Sequence, residues 1–138
     1  MRNMIYLAGA ILFNATLAWS HGEDKAGPHG GFITMPGAFH VELVPTEKNQ
    51  LKVYLLDLQW ENPSVSQGRV QITHNNKDQA DCKPQNNYFI CSFSQKIDLT
   101  KKGELKVLAE RESQKGAESL YKLPLKLVKK QNEHSNHH

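Results

Sequence analysis

Three histidines and one methionine lie close together near the start of the chain. His21, His29 and His40 fall within twenty residues of one another, and Met35 lies between the last two. Imidazole nitrogens bind zinc, copper and nickel, and a thioether shifts the preference towards copper(I). The cluster therefore predicts a copper or zinc site with His21, His29, Met35 and His40 as its ligands.

Each of these residues also has a simpler interpretation. Met35 is suited to packing in a turn or a core, His40 to an ordinary surface position on a strand, and Glu42 to a solvated charge. His74 ends an apolar alternation, which indicates a structural role. The density of histidines around the sequence PHGG is what favours the metal site over these separate roles.

Local geometry suggests how the ligands are presented. A turn at residues 36–37 makes Met35 and His40 diagonal neighbours on a hairpin, about 7 Å apart at Cα. The two glycines before the hairpin permit the chain to bend back. We expect Met35 and His40 to be fixed on strands, while His21 and His29 are delivered by a flexible His/Gly-rich arm, residues 21–31.

The first twenty residues have the pattern of a signal peptide. Arg2 supplies a positive start, an apolar run of about 15 residues follows, and small residues precede His21. The run is shorter than the roughly 20 residues that a membrane-spanning helix needs. We expect cleavage near Ser20 and His21, no membrane span after processing, and a periplasmic or secreted protein. The new α-amino group and the imidazole of His21 can then chelate one metal ion together.

Size and charge narrow the class of protein. Removing residues 1–20 from 138 leaves 118, which is the size of one domain. The net charge of the whole chain is 17 − 14 = +3, and it is spread too evenly to indicate a nucleic-acid partner.

The two cysteines of the chain, Cys82 and Cys91, predict a disulfide. In an oxidising compartment an even number of cysteines favours pairing. A two-residue turn at Asn86 and Asn87 places Cys82 opposite Cys91, at a non-hydrogen-bonded pair where the Cα atoms approach to about 4.5 Å. A thiolate metal pair is the alternative, and the oxidising compartment disfavours it.

Alternating apolar residues indicate strands throughout the middle of the chain. Short runs such as FHVELV, LKVYLLDL and SLYKLPLKLV are separated by turn signals about every ten residues. This pattern predicts an all-β fold, a single Ig-like antiparallel β-sandwich of about seven or eight strands, over residues 32–128. Pro124 indicates that the last strand lies at an edge or a bulge.

The end of the chain differs from this domain in composition. Residues 129–138 contain no apolar side chain, which predicts a disordered tail. His134, His137 and His138 lie in this tail and make it a secondary metal-collecting segment.

Two stretches of the sequence resemble a known family. GPHGGFITMPGAFHVELV, followed by LKVYLLDLQWENPS, is similar to the small N-terminal β domain of periplasmic adaptor subunits in heavy-metal efflux systems of the resistance-nodulation-division class. The resemblance covers residues 27–57 and, more loosely, 103–128. It implies a periplasmic accessory domain with His29 and His40 as metal ligands and Asp57 as a structural residue at a strand end. The coiled-coil hairpin and lipoyl-like domains of such adaptors have no counterpart here.

Three functions remain open at this point. The first is a periplasmic copper- or zinc-binding accessory protein that buffers metal or delivers it to an efflux adaptor or pump component. The second is a structural or interaction module of the cell envelope that needs no metal. The third is a copper oxidase that uses the N-terminal His21. No nucleophile with a suitable base is apparent, so we expect that the protein is not an enzyme.

Overall fold

Antiparallel strands, joined by loops, form all of the regular secondary structure of the described residues. The computed structural model describes residues 25–126, and this range contains no helix that could span a membrane. The strands are β1 (Phe32–Gly37), β2 (Phe39–Glu47), β3 (Gln50–Leu56), β4 (Arg69–His74), β5 (Asp78–Gln79), β6 (Asp81–Gln85), β7 (Tyr88–Ser92), β8 (Gly103–Arg111), β9 (Gln114–Lys115) and β10 (Ser119–Leu123). The predicted signal peptide and tail lie outside this range.

The strands make two sheets, which confirms the all-β sandwich. The first sheet has the order β1-β2-β3-β7-β6 and the second has the order β10-β8-β4-β5, with β9 paired to β8. All of the pairings between these strands are antiparallel. Because β5 and β9 hold only two residues each, the remaining eight strands agree with the predicted seven or eight.

The core lies between the inner faces of the two sheets. In β2 the side chains of Phe39, Val41 and Leu43 are fully buried, and they alternate with His40 and Glu42 on the other face of the strand. This period of two follows from the pleat of a β-strand. The core contains inward-facing apolar side chains from both sheets, including Leu51, Val53, Leu55, Ile72, Phe89, Phe93, Leu105, Val107 and Tyr121.

The cysteine hairpin has the predicted pairing. Cys82 lies opposite Cys91, and the two are joined by a disulfide with their Cα atoms 4.0 Å apart. The turn is at Asn86, whose φ of 54° is in the left-handed region that asparagine tolerates. Cys91 is fully buried, so the disulfide ties the β6 edge of the first sheet to the core.

The hairpin between β1 and β2 differs from the predicted one. The strand β1 continues to Gly37, which pairs with Phe39, and the register shifts between Thr34 and Gly37. The chain therefore reverses at Ala38, not at residues 36–37, and Met35 lies in an irregular part of an edge strand. An irregularity of this kind lets the edge bend and limits its pairing with other chains.

Candidate functional site

The outer face of the first sheet is covered by two loops. We name residues 25–31 the arm loop and residues 57–63 the Trp60 loop. Ile33, His40 and Glu42 point away from the core, yet they are only 3%, 4% and 0% exposed. These low values show that the two loops bury this outward-facing surface. The surface contains His40, which is one of the predicted ligands, and its neighbour Glu42.

The arm loop requires glycines because it lies close to the sheet and turns sharply. Gly27 N–H donates to the carbonyl of Gly31, and Gly30 N–H donates to the carbonyl of Gly27, each at 2.9 Å. A side chain at Gly31 would place its Cβ 2.5 Å from the carbonyl oxygen of Leu43. Gly30 has a φ of 74°, which favours glycine. The arm loop is thus a compact turn pressed against β2.

Glu42 fixes the arm loop to the sheet. Its carboxylate accepts the backbone N–H groups of His29 and Gly31 at 2.9 Å each and the imidazole Nδ1 of His29 at 2.6 Å. The sequence-based interpretation of Glu42 as a solvated charge is wrong, because its side chain has no exposed surface. A buried carboxylate requires hydrogen-bond donors of this kind, and three of them meet that requirement.

The imidazole of His29 is held from two directions. Besides the contact with Glu42, it stacks on the ring of Tyr54, with ring centroids 3.7 Å apart and an interplanar angle of 6°. Tyr54 in turn contacts Tyr88 at 5.3 Å, and Lys52 Nζ lies 4.8 Å from the Tyr88 ring centre. The side chain of His29 nevertheless remains 34% exposed. About a third of a fixed side chain is therefore presented to solvent.

His40 lies on the same sheet face as His29, but its imidazole is covered. Trp60 stacks on its ring at a centroid distance of 3.4 Å, and its Nδ1 lies 3.0 Å from the carbonyl oxygen of Asp57, to which it donates. The alternative interpretation of His40 as a surface residue is wrong, since only 4% of it is exposed. As a metal ligand His40 is accessible only if Trp60 moves.

Asp57 and Arg111 hold the Trp60 loop in place. The Asp57 carboxylate accepts the backbone N–H groups of Gln59 and Glu61 and the side-chain amide of Asn62. The backbone hydrogen bond from Glu61, more than the one from Asn62, lowers the pKa of Asp57 below its ordinary value. Arg111 donates to the carbonyl of Leu55 at 3.3 Å and to that of Asn62 at 2.7 Å. Asp57 thus lies directly after β3 and fixes the loop that follows it.

Among the described residues, two of the predicted metal ligands lie on one sheet face and a third lies on its edge strand. His29 and His40 both lie on the outer face of the first sheet, and Met35 lies on its edge strand with 50% exposure. Across residues 25–126, no three His, Cys, Asp or Glu side chains form a group suited to a metal ion. His21, His134, His137 and His138 lie outside the described residues, so their part in the site stays a prediction.

The pairing of Glu42 with His29 was not among the sequence-based predictions. The available signal was an acidic residue, Glu42, at an outward-facing position between apolar neighbours. It was accompanied by two adjacent glycines, whose backbone N–H groups need a hydrogen-bond acceptor. No family model, curated protein or solved structure matches the chain. The interpretation of the site therefore depends on its own geometry.

Proposed function

We propose that the protein is a metal-binding accessory protein of the cell envelope, which binds copper or zinc through His29 and buffers the ion or delivers it to an efflux system. Export follows from the signal-peptide pattern of residues 1–20. The link to efflux follows from the resemblance of residues 27–57 to periplasmic adaptor domains. The metal-binding part is supported by the structure around His29.

The observation that carries the proposal is the contact between Glu42 and His29. Metal-binding histidines generally donate their second ring nitrogen to a carboxylate or a carbonyl, which fixes the tautomer and the ring orientation. Because an ionised carboxylate only accepts, the 2.6 Å contact places a proton on Nδ1, and in the neutral imidazole Nε2 is then the nitrogen that carries the lone pair. Among the described residues, no hydrogen bond to this Nε2 is present.

The surroundings of His29 also favour a preformed ligand. Its ring is flat against Tyr54 and its backbone N–H is bound to Glu42, so few rotamers are open to it. A ligand that is already fixed loses little conformational entropy when it binds an ion. An imidazole in this state suits copper or zinc.

The direct test follows His29 by nuclear magnetic resonance during addition of Zn²⁺. We expect the Nε2 resonance of His29 to shift more than that of His40, since Trp60 covers His40. In calorimetric titrations with Cu²⁺ and Zn²⁺, His29→Ala should lower the affinity at least tenfold, which is the change expected when a principal ligand is lost.

A control is needed because His29→Ala also removes a contact to Glu42. Tyr54→Leu disturbs the stacking on His29 but keeps its imidazole, and this variant should retain most of the affinity. An unchanged His29 resonance at saturating Zn²⁺, with full affinity in His29→Ala, would reject the proposal. If the metal-free original protein and metal-free His29→Ala then bind a protein partner equally, the alternative function, an interaction module of the cell envelope, is favoured.

A further inference from the structure

The two sides of the sandwich are closed in different ways. On one side the edge strands β1 and β10 meet, and the hydroxyl groups of Thr34 and Tyr121 are hydrogen-bonded at 2.8 Å. On the other side the chain passes from β5 in the second sheet to β6 in the first. Here β5 pairs with β4 only at Thr73 and His74, so that no strand of the described residues lies beside residues 69–72 of β4. The sheets therefore part at this side.

An open cleft lies where the sheets part. It has a volume of about 300 Å³, which is many times the space that one water molecule needs. Its lining includes the core residues Val70 and Ile72 of the second sheet and Cys82 of the first. Cys82 is partly exposed, whereas its disulfide partner Cys91 has no exposed surface. Only one end of the disulfide therefore faces the cleft.

The register of the strands fixes the direction of the disulfide. Cys82 on the edge strand β6 lies opposite Cys91 on β7, and Cys91 in turn lies opposite Leu51 on β3. The bond between the two sulfurs therefore runs broadly across the strands, from the interior of the sheet to its edge. Beyond Cys82 this line leaves the first sheet, and beyond Cys91 it meets Leu51, which is fully buried.

This direction decides which sulfur a thiolate can reach. In thiol–disulfide exchange a thiolate attacks one sulfur, roughly in line with the bond that breaks, and the rate depends on access to that sulfur. The line of attack on Cys82 comes from the open edge of the sheet. The line of attack on Cys91 passes through Leu51 and β3. Access therefore selects Cys82 as the sulfur that is attacked.

We propose that Cys82 is a thiol–disulfide exchange site, at which a dithiol protein enters through the cleft and reduces the Cys82–Cys91 bond. The attacking thiolate forms a bond to Cys82 Sγ, the bond between the two cysteines breaks, and its electron pair leaves on Cys91 Sγ, which takes a proton from water. The second thiolate of the dithiol then attacks the sulfur bound to Cys82, and Cys82 leaves and takes a proton in the same way. The dithiol is oxidised to a disulfide, and this chain gains two thiols.

The exchange site is separate from the proposed metal site. The cleft lies between the sheets at the β6 edge, whereas His29 lies on the outer face of the first sheet beside β2. The inference goes beyond the proposed function, and neither depends on the other. By microscopic reversibility, a disulfide-bearing oxidant restores the bond through the same mixed disulfide at Cys82.

The first test uses the unaltered full-length chain after processing. The protein is incubated with excess reduced glutathione, quenched in acid at short times, unfolded, and alkylated. Chymotryptic cleavage after Tyr88 and Phe89 separates the two cysteines, and mass spectrometry locates the glutathione. We expect at least tenfold more glutathione on Cys82 than on Cys91, because only Cys82 is open to attack. Equal labelling, or no reduction of the folded protein, would overturn the inference.

A matched pair of variants measures the access to each sulfur directly. Cys91→Ser leaves one thiol at Cys82, and Cys82→Ser leaves one thiol at Cys91. With oxidised glutathione, the Cys82 thiol should form its mixed disulfide at least tenfold faster than the Cys91 thiol. Near-ultraviolet circular dichroism checks that both variants are folded. If one is not, the labelling of the unaltered chain decides. Equal rates in two folded variants would contradict the proposal.

A second pair of variants tests the cleft as the route of entry. Gln79 is exposed and lines the cleft, whereas Gln85 is exposed on β6 outside it. Tryptophan is well tolerated in strands, and Gln79→Trp places a large ring at the cleft. We expect Gln79→Trp to slow reduction by glutathione at least threefold and Gln85→Trp to leave it within about twofold of the original. Equal rates in the two variants would exclude entry through the cleft.

Discussion

The two loops that cover the first sheet both stack a histidine on an aromatic ring, but one histidine is left partly exposed and the other is buried. In the arm loop the histidine belongs to the loop, and it stacks on Tyr54 of the sheet. In the Trp60 loop the aromatic ring belongs to the loop, and it stacks on His40 of the sheet. His29 keeps about a third of its side chain in solvent, whereas His40 keeps almost none.

The comparison shows that position in the stack decides which of the two imidazoles remains open to solvent. Both imidazoles have Nδ1 in a hydrogen bond, with a carboxylate for His29 and a carbonyl for His40. Both loops are also fixed by an acidic residue, Glu42 in one case and Asp57 in the other. The outer ring of each pair faces solvent, and only in the arm loop is that ring an imidazole.

The largest effect is expected from the buried carboxylate of the arm loop. Glu42→Gln keeps the size of the side chain and an oxygen that can accept the two backbone N–H groups, but its amide N–H₂ then faces the Nδ1 of His29, which is itself a donor. Uncompensated buried polar groups of this kind cost about 2–4 kcal/mol. We expect a loss of this size in the free energy of urea unfolding, together with faster amide exchange at Gly31.

A matched substitution separates this effect from a general change of charge. Glu47→Gln lies on the same strand at an exposed position and should change the free energy of unfolding by less than about 0.5 kcal/mol. Equal values for the two variants would mean that Glu42 does not hold the arm loop, and the contrast between the loops would disappear.

An intermediate effect is expected when Trp60 is removed. Trp60→Ala exposes His40 and removes a stacked pair worth about 0.5–1.5 kcal/mol beyond its buried area. Reaction with diethyl pyrocarbonate, followed by peptide mass spectrometry, should modify His40 at least fivefold faster in this variant and His29 at its original rate.

Leu58→Ala is the control for this experiment, because Leu58 is in the same loop and 49% exposed. His40 should remain protected in that variant. A His40 that reacts as fast as His29 in the unaltered protein would show that Trp60 does not cover it.

The sequence predicted the scaffold better than it predicted the site. The cysteine hairpin followed from a period of two and a turn at Asn86, which are local properties of the chain. The burial of Glu42 and His40 depends on loops that fold over an outward-facing surface, and alternation alone assigns such positions to solvent. The meeting of β1 and β10 joins residues 87 positions apart, which no local pattern encodes.

The smallest effect is expected at Asp57, and it has a distinctive dependence on pH. Hydrogen bonds from Glu61, Asn62 and Gln59 lower the pKa of this carboxyl from its ordinary value of 3.8. A group whose pKa is lowered by folding stabilises the protein above its unfolded pKa, and the contribution is lost as the pH falls through the folded pKa. The difference in unfolding midpoint between the original protein and Asp57→Ala should therefore be constant near neutrality and shrink below about pH 3.8.

Asp98 provides the comparison for this last measurement. Its pKa is also lowered, chiefly by the Thr100 hydroxyl, so Asp98→Ala should show the same loss of effect in acid. Only Asp57→Ala should alter the fluorescence of Trp60 in the folded state, because Asp57 fixes the loop that carries this ring. If Asp57→Ala leaves that emission and the protection of His40 unchanged, stacking alone holds the Trp60 loop, and the parallel between Asp57 and Glu42 as anchors of the two loops is wrong.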